Sequence, residues 1–157
     1  MKFEKVSKEQ FSQFFPDEQM WEDIKLPRRA TQGSAGYDFY MPFDLGLPPE
    51  STAIVPTGIR VRLNPMTFLM IVPRSGLGAK KRLRLNNTTG IVDFDYYFSK
   101  NEGHIIAFLA NEGNEFVELK KGQAFMQGII VPYMLVDKDD TSEVRDGGFG
   151  STDGSGA

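Results

Sequence analysis

The sequence predicts an all-β fold, a barrel or a sandwich. Two observations carry this. From Gly36 onward the chain is cut into short runs rich in aromatic and β-branched residues. Between them, turn signals recur at about ten-residue spacing, the rhythm of short strands joined by tight connections. The clearest are Pro48-Pro49, Asn64-Pro65, Asn101-Glu102-Gly103, Glu112-Gly113-Asn114 and Lys121-Gly122.

Residues 1–26 have another texture and predict a helical extension. Ser7 with Gln10 reads as a capping box. Phe11, Phe14 and Phe15 would share one helix face. Pro16 interrupts, and Asp17 and Glu18 suit a new first turn. Met20, Trp21 and Ile24 continue an apolar face, which either caps the domain or docks a partner. Residues 27–35 read as a polar link. Strands are then expected at Gly36 to Phe43, Ala53 to Pro56 and Ile59 to Leu63, the last two separated by a Thr57-Gly58 turn. Phe68 to Val72 is continuously apolar and predicts a strand buried on both faces. Arg84 to Asp93, His104 to Ala110, Phe116 to Leu119 and Gln123 to Val136 complete the set. The main domain is drawn at residues 27–144. Residues 145–157 are rich in glycine and serine and read as a flexible arm.

Composition sets limits. A chain of 157 residues fits one domain with a real core. The hydrophobic and charged fractions, 40% and 25%, are those of a soluble globular protein. A net charge of -3 gives no basic surplus for long nucleic acid, though local cations could hold one small anion. With no cysteine there is no disulfide, no thiol chemistry and no cysteine zinc site, which fits a cytoplasmic chain. The only histidine is His104, so two-histidine mechanisms are excluded. No run is long enough to span a membrane, and the N-terminus lacks the apolar core of a signal peptide.

Several short stretches carry polar groups where chemistry could occur. In Asn87-Thr88-Thr89-Gly90-Ile91-Val92-Asp93-Phe94-Asp95-Tyr96, Asp93 is a carboxylate among apolar neighbours. It is either the polar end of a strand or a base whose basicity partial desolvation raises. Pro73-Arg74-Ser75-Gly76-Leu77 leaves a strand with a guanidinium, a hydroxyl and free N–H groups, a corner that is either a capped helical turn or a phosphate cradle. Asp38 stands in Gly36-Tyr37-Asp38, and Gln127 is a polar residue inside an apolar strand. Near the C-terminus, Arg145 precedes Gly147-Gly148-Phe149-Gly150-Ser151-Thr152. That segment is either a solvated tail or a wrap for polyphosphate, with Phe149 available to stack on a base.

In order, Ala35 to Asp38, Pro73 to Leu77, Gly90 to Tyr96, Gly122 to Gln127 and Arg145 to Thr152 resemble the five motifs of the trimeric dUTP pyrophosphatase (dUTPase) family. The resemblance runs from about residue 26 to residue 152. It implies a jelly-roll-like distorted β-barrel, a homotrimer with shared active sites, and hydrolysis of dUTP to dUMP and pyrophosphate with Mg2+. Asp93 would be the base that activates water. Tyr96 would pack on the deoxyribose, and Asn87 with the hairpin through Gly90 would read uracil. Arg74, Ser75 and Gly76 would bind phosphate from a neighbouring subunit, with Gln127 on the phosphate side. Asp38 would be at most an outer partner of the metal. Phe149 and Gly150 of the closing arm would cover the base, while Arg145, Ser151 and Thr152 reached the outer phosphates.

The chain departs from the family pattern in four places. Tyr97-Phe98 replace Arg-Gly after Tyr96, and the loop Ser99 to Gly103 looks longer. Gln123 and Ala124 replace an acidic-Arg pair. Arg145 stands one residue closer to its glycines, and the N-terminal helices are additional. Two alternatives remain at this level: a dCTP deaminase-type enzyme of the same fold, or a dUTPase-fold nucleotide-dependent regulator that binds a protein partner.

Overall fold

The computed structural model describes residues 1–142, so Arg145, Phe149, Gly150, Ser151 and Thr152 lie outside the described residues. The chain begins with strand β1 (Lys2–Lys5), then two one-turn helices, α1 (Lys8–Ser12) and α2 (Glu18–Glu22). Next come β2 (Arg28–Arg29), β3 (Tyr37–Tyr40), β4 (Leu45–Leu47), β5 (Thr52–Pro56), β6 (Ile59–Arg62) and β7 (Thr67–Pro73). Helix α3 (Ser75–Lys81) leads into β8 (Leu83–Leu85) and β9 (Gly90–Val92). A 3-10 turn at Phe94–Phe98 precedes β10 (Ile106–Asn111), β11 (Val117–Leu119) and β12 (Ala124–Pro132).

The strands form four small antiparallel sheets: β1-β6, β5-β10-β8, β11-β4 and the five-stranded β2-β3-β12-β7-β9. They share one apolar core, to which Phe39, Leu47, Val55, Val61, Leu69, Leu85, Val92, Leu109, Leu119 and Phe125 all contribute. The fold is all-β and of jelly-roll type, although the described strands are not hydrogen-bonded into a closed barrel.

Several expectations are corrected. The helical reading of residues 1–26 fails at its start. Phe3 stands between charged Lys2 and Glu4, and that alternation suits a strand once β6 offers an edge, with Phe3 opposite Val61. Phe3 then packs on Tyr37 and Phe39. The helices that follow are the ones expected. Ser7 caps α1 by accepting from Gln10 N at 3.0 Å, and Asp17 caps α2. Val6, Phe11 and Ile24 belong to the shared core, so the boundary drawn at residue 26 does not separate two cores.

The β7 run is not buried on both faces. Leu69 and Ile71 are buried, while Phe68, Met70 and Val72 are half-covered. Arg84 to Asp93 is not one strand. A turn at residues 86–89 breaks it, closed by Thr88 N donating to Leu85 O at 2.8 Å. Thr88 there takes φ 67, a left-handed conformation unusual for a β-branched residue. The last strand stops at Pro132, which has no N–H to continue a ladder. Arg28 and Arg29, inside the expected polar link, pair with Asp38 and Tyr37.

Candidate functional site

The turn that splits Arg84 to Asp93 joins two different sheets. β8 pairs with β10, and β9 pairs with β7. The seam between them is a pocket. Asn87, Gly90, Ile91 and Asp93 line it from the turn and β9, so the expected hairpin is a link between two sheets, and Tyr96 lines it from the 3-10 turn. Ile106, Ala107 and Phe108 of β10 line the facing wall, with Ile71 and Met126 also contributing. Sequence reasoning brought Asn87, Gly90, Asp93 and Tyr96 together here. It missed the β10 wall, whose apolar residues give no signal beyond that of a core strand.

Asp93 is the only ionisable carboxylate among the lining residues, and it is half-buried. The backbone explains its place. At φ -73, ψ 160 it is the last extended residue before the chain tightens into the 3-10 turn. Gly90 has a packing reason for being glycine: a Cβ there would stand 3.2 Å from Ile71 Cβ. Apart from Asn87, Asp93 and the Tyr96 hydroxyl, the side chains lining the pocket are apolar. Among the described residues that line it there is no lysine or arginine.

Tyr96 is 5% exposed and held from several sides. Its hydroxyl donates to His104 O at 3.0 Å and accepts from Asn101 Nδ2 at 2.8 Å. Its carbonyl accepts from Ser99 Oγ at 2.7 Å. Ser99, Asn101 and His104 were not foreseen as supports of the site. The only hint was the extra length of their loop.

His104 is fully buried. Gly58 N donates to its Nε2 at 2.9 Å, so the neutral ring carries its proton on Nδ1. Phe11 and Phe14 flank it. Burial pushes its pKa down to about 4, against a partial upward pull from Glu102. The unfolded chain protonates this histidine near 6.5, whereas the folded chain does so near 4. Stability should therefore fall as pH drops through that window, by about 2–3 kcal/mol from this group. Thermal melts of the wild type and His104→Gln between pH 7 and pH 4 test this. The variant should lose less of its melting temperature, and parallel curves would refute the prediction.

The second cluster lies at the far end of the five-stranded sheet. Arg74 Nε lies 3.3 Å from Asp38 Oδ1. Asp38 is opposite Gln127 in the β3–β12 ladder. Buried Gly36 leaves room for the Gln127 side chain. Ser75 and Gly76 open α3, and the first N–H groups of a helix have no partner within it. A Cβ on Gly76 would meet nothing within 4 Å, so packing in this chain does not demand glycine there.

The ladder measures how far apart the two clusters are. Gly90 faces Ile71 and Val92 faces Leu69, so Asp93 falls level with position 68 while Arg74 lies beyond position 73. At about 3.3 Å per residue, the interval from 68 to 74 is roughly 20 Å. One chain does not bring Arg74 to Asp93. As for a metal, among the described residues no three His, Cys, Asp or Glu side chains gather to hold one.

A model of the dUTPase family matches residues 22–153. The deoxyuridine 5'-triphosphate nucleotidohydrolase of Lactococcus lactis subsp. lactis (strain IL1403) is 36% identical over 132 residues, 82% of this chain and 88% of that protein. The protein of the same name from Paraburkholderia phymatum is 39% identical over 136 residues, again 82% of this chain and 88% of that protein. The crystal structure of dUTPase from Streptococcus mutans superposes with a TM-score of 0.71 at 32% identity, covering 87% of this chain and 99% of that one. A mutant dUTPase from phage phi11 of S. aureus, whose structure details the coordination of a structural Mg(II) ion, has a TM-score of 0.67. At 18% identity, with 90% of this chain and 96% of that one covered, it is similar in fold.

Proposed function

Since the chain belongs to the dUTPase family, we propose that it hydrolyses dUTP to dUMP and pyrophosphate, with the hairpin pocket as the nucleoside and attack site. The carrying observation is that one half-buried carboxylate, Asp93, shares an otherwise apolar pocket with Tyr96 and the Asn87–Gly90 turn. Uracil enters the turn and pairs with its backbone and with Asn87, which leaves no space for a 5-methyl group. Tyr96 lies beneath the sugar and excludes a 2'-hydroxyl. Asp93 accepts a proton from a water molecule as that water's oxygen bonds to the α-phosphorus. The bond from the α-phosphorus to the bridging oxygen breaks, and pyrophosphate leaves. A carboxylate in a partly desolvated setting suits this role.

The phosphates need cations that this pocket lacks. The interval of roughly 20 Å along β7 supports a site completed by a second copy, whose Arg74, Ser75 and Gly76 meet the triphosphate. Met134, Leu135 and Val136 follow the last strand and are 91%, 57% and 79% exposed, an apolar run that a neighbouring subunit would cover. Both features favour association of copies with shared sites, and the family resemblance makes the homotrimer the expected form. Arg145, Phe149, Gly150, Ser151 and Thr152 supply the closing arm in this reading.

Magnesium fits as an ion that arrives with the nucleotide. Mg2+ commonly keeps waters and substrate phosphates as ligands, so it needs no all-protein cage. Asp38, already paired with Arg74, stays an outer partner. When bound, the ion neutralises phosphate charge and holds the triphosphate in one shape.

A pyrophosphate-release assay with dUTP, UTP, dTTP and dCTP tests the reading. Turnover should favour dUTP over all three, most strongly over dCTP, whose base would leave polar groups of the turn unpaired, and over UTP and dTTP because each adds a group where the proposed site has no room. Comparable turnover of UTP or dTTP would refute the assignment of Tyr96 and the hairpin.

A further inference from the structure

The N-terminal segment and the loop after Tyr96 touch each other. Ser7 N donates to Glu102 Oε2 at 2.8 Å, and Ser7 Oγ donates to Glu102 Oε1 at 2.6 Å. Tyr97 Oη donates to Glu4 Oε2 at 2.9 Å. Arg60, opposite Glu4 in the β1–β6 ladder, lies over the Tyr97 ring at 4.6 Å. It also lies 3.8 Å from Glu102. Burial opposes ionisation of Glu102, but the bonds from Ser7 and the charge of Arg60 outweigh it and hold the pKa below the usual value.

The far side of this loop carries Tyr96. Asn101 bonds the Tyr96 hydroxyl, Ser99 bonds its carbonyl, and His104 accepts from the hydroxyl. The fit is tight. A Cβ on Gly103 would stand 2.8 Å from Tyr97 Cα and 2.9 Å from Tyr96 O. Glu102 itself takes φ 59, a left-handed conformation unfavourable for a residue with a side chain. Its carboxylate accepts two hydrogen bonds from Ser7 in that conformation. The chain of contact runs from α1 through Glu102 and Asn101 to the ring at the pocket.

We infer that Ser7 and Glu102 form a latch by which the N-terminal segment positions Tyr96, making them specificity-determining residues for the sugar of the substrate. They act through Tyr96 and touch no substrate. The inference rests on the proposed reading of Tyr96 as the ring beneath the sugar. A ring free to shift by a fraction of an ångström would admit a 2'-hydroxyl, while the hairpin and Asp93 would keep their places.

The test compares kcat/KM for dUTP and for UTP in the wild type, Glu102→Gly, Glu102→Gln, Ser7→Ala and Tyr96→Ala. Glycine relieves the left-handed backbone as it deletes the latch, so Glu102→Gly is expected to fold. Its preference for dUTP over UTP should drop about tenfold through better use of UTP, with kcat for dUTP nearly unchanged. Glu102→Gln keeps an acceptor for Ser7 and should restore most of the preference. Ser7→Ala loses the hydroxyl bond and keeps the backbone one, so its preference should fall by less than that of Glu102→Gly, and the double variant should lose no more than Glu102→Gly alone. An unchanged preference in Glu102→Gly, or a parallel fall for both nucleotides, would overturn the latch alone. A wild type that does not discriminate, or an unchanged preference in Tyr96→Ala, would overturn the reading of the pocket and the latch with it.

Discussion

Asp93→Asn should bind dUTP and hardly turn it over. The amide is nearly isosteric with the carboxylate, so the pocket formed by the hairpin, Tyr96 and the β10 wall keeps its shape. The amide cannot accept the proton of the attacking water. Losing a positioned general base costs typically ~10²–10⁴-fold in rate. Single-turnover pyrophosphate release, with calorimetric titration of a non-hydrolysable dUTP analogue, separates chemistry from affinity. Near-normal turnover would move the role of base elsewhere, and Asp95 would be the first residue to test.

Two inactive subunits should rescue each other. The register of β9 on β7 puts Arg74 roughly 20 Å from Asp93 within one chain. If the phosphate corner comes from a neighbour, Asp93→Asn subunits still lend Arg74, and Arg74→Ala subunits still lend Asp93. In the proposed trimer each variant alone should be nearly inactive, Arg74→Ala because its loss would leave phosphate charge unpaired. Co-refolded at equal amounts, random assortment in a closed ring puts both intact residues in about a quarter of sites. Activity should recover to about that fraction of wild type. No recovery in mixed trimers, with assembly confirmed by light scattering, would show that each site draws both residues from one chain.

The sequence made much of this readable because turn residues and capping residues act locally. Gly58 and Gly122 sit at positive φ in the turns they announced, and Ser7 and Asp17 cap the helices they were expected to start. The pocket residues Asn87, Gly90, Asp93 and Tyr96 are close in sequence, so one short segment gathers them. What was not readable depends on contacts between distant segments. Lys2 to Lys5 is a strand only because β6 offers an edge more than fifty residues later. The Ser7–Glu102 bond spans 95 positions, and nothing in Asn101-Glu102-Gly103 distinguishes it from an ordinary turn. The pairing of Arg74 with Asp38 likewise needs three strands side by side before it exists.

Thr88 shows what that hairpin exchanges for its shape. A β-branched residue at φ 67 is strained, and the surrounding ladder must hold it there. Glycine would adopt the same backbone at less cost, and a chain selected for thermal robustness alone would favour it. If the turn receives the base as proposed, threonine stiffens it before the nucleotide arrives, and less ordering entropy would be lost on binding. On that reading the strain is a standing cost to the folded state that would be returned as affinity. Attempts to raise the melting temperature of this protein by relaxing that turn would be expected to succeed in the assay of stability and fail in the assay of recognition.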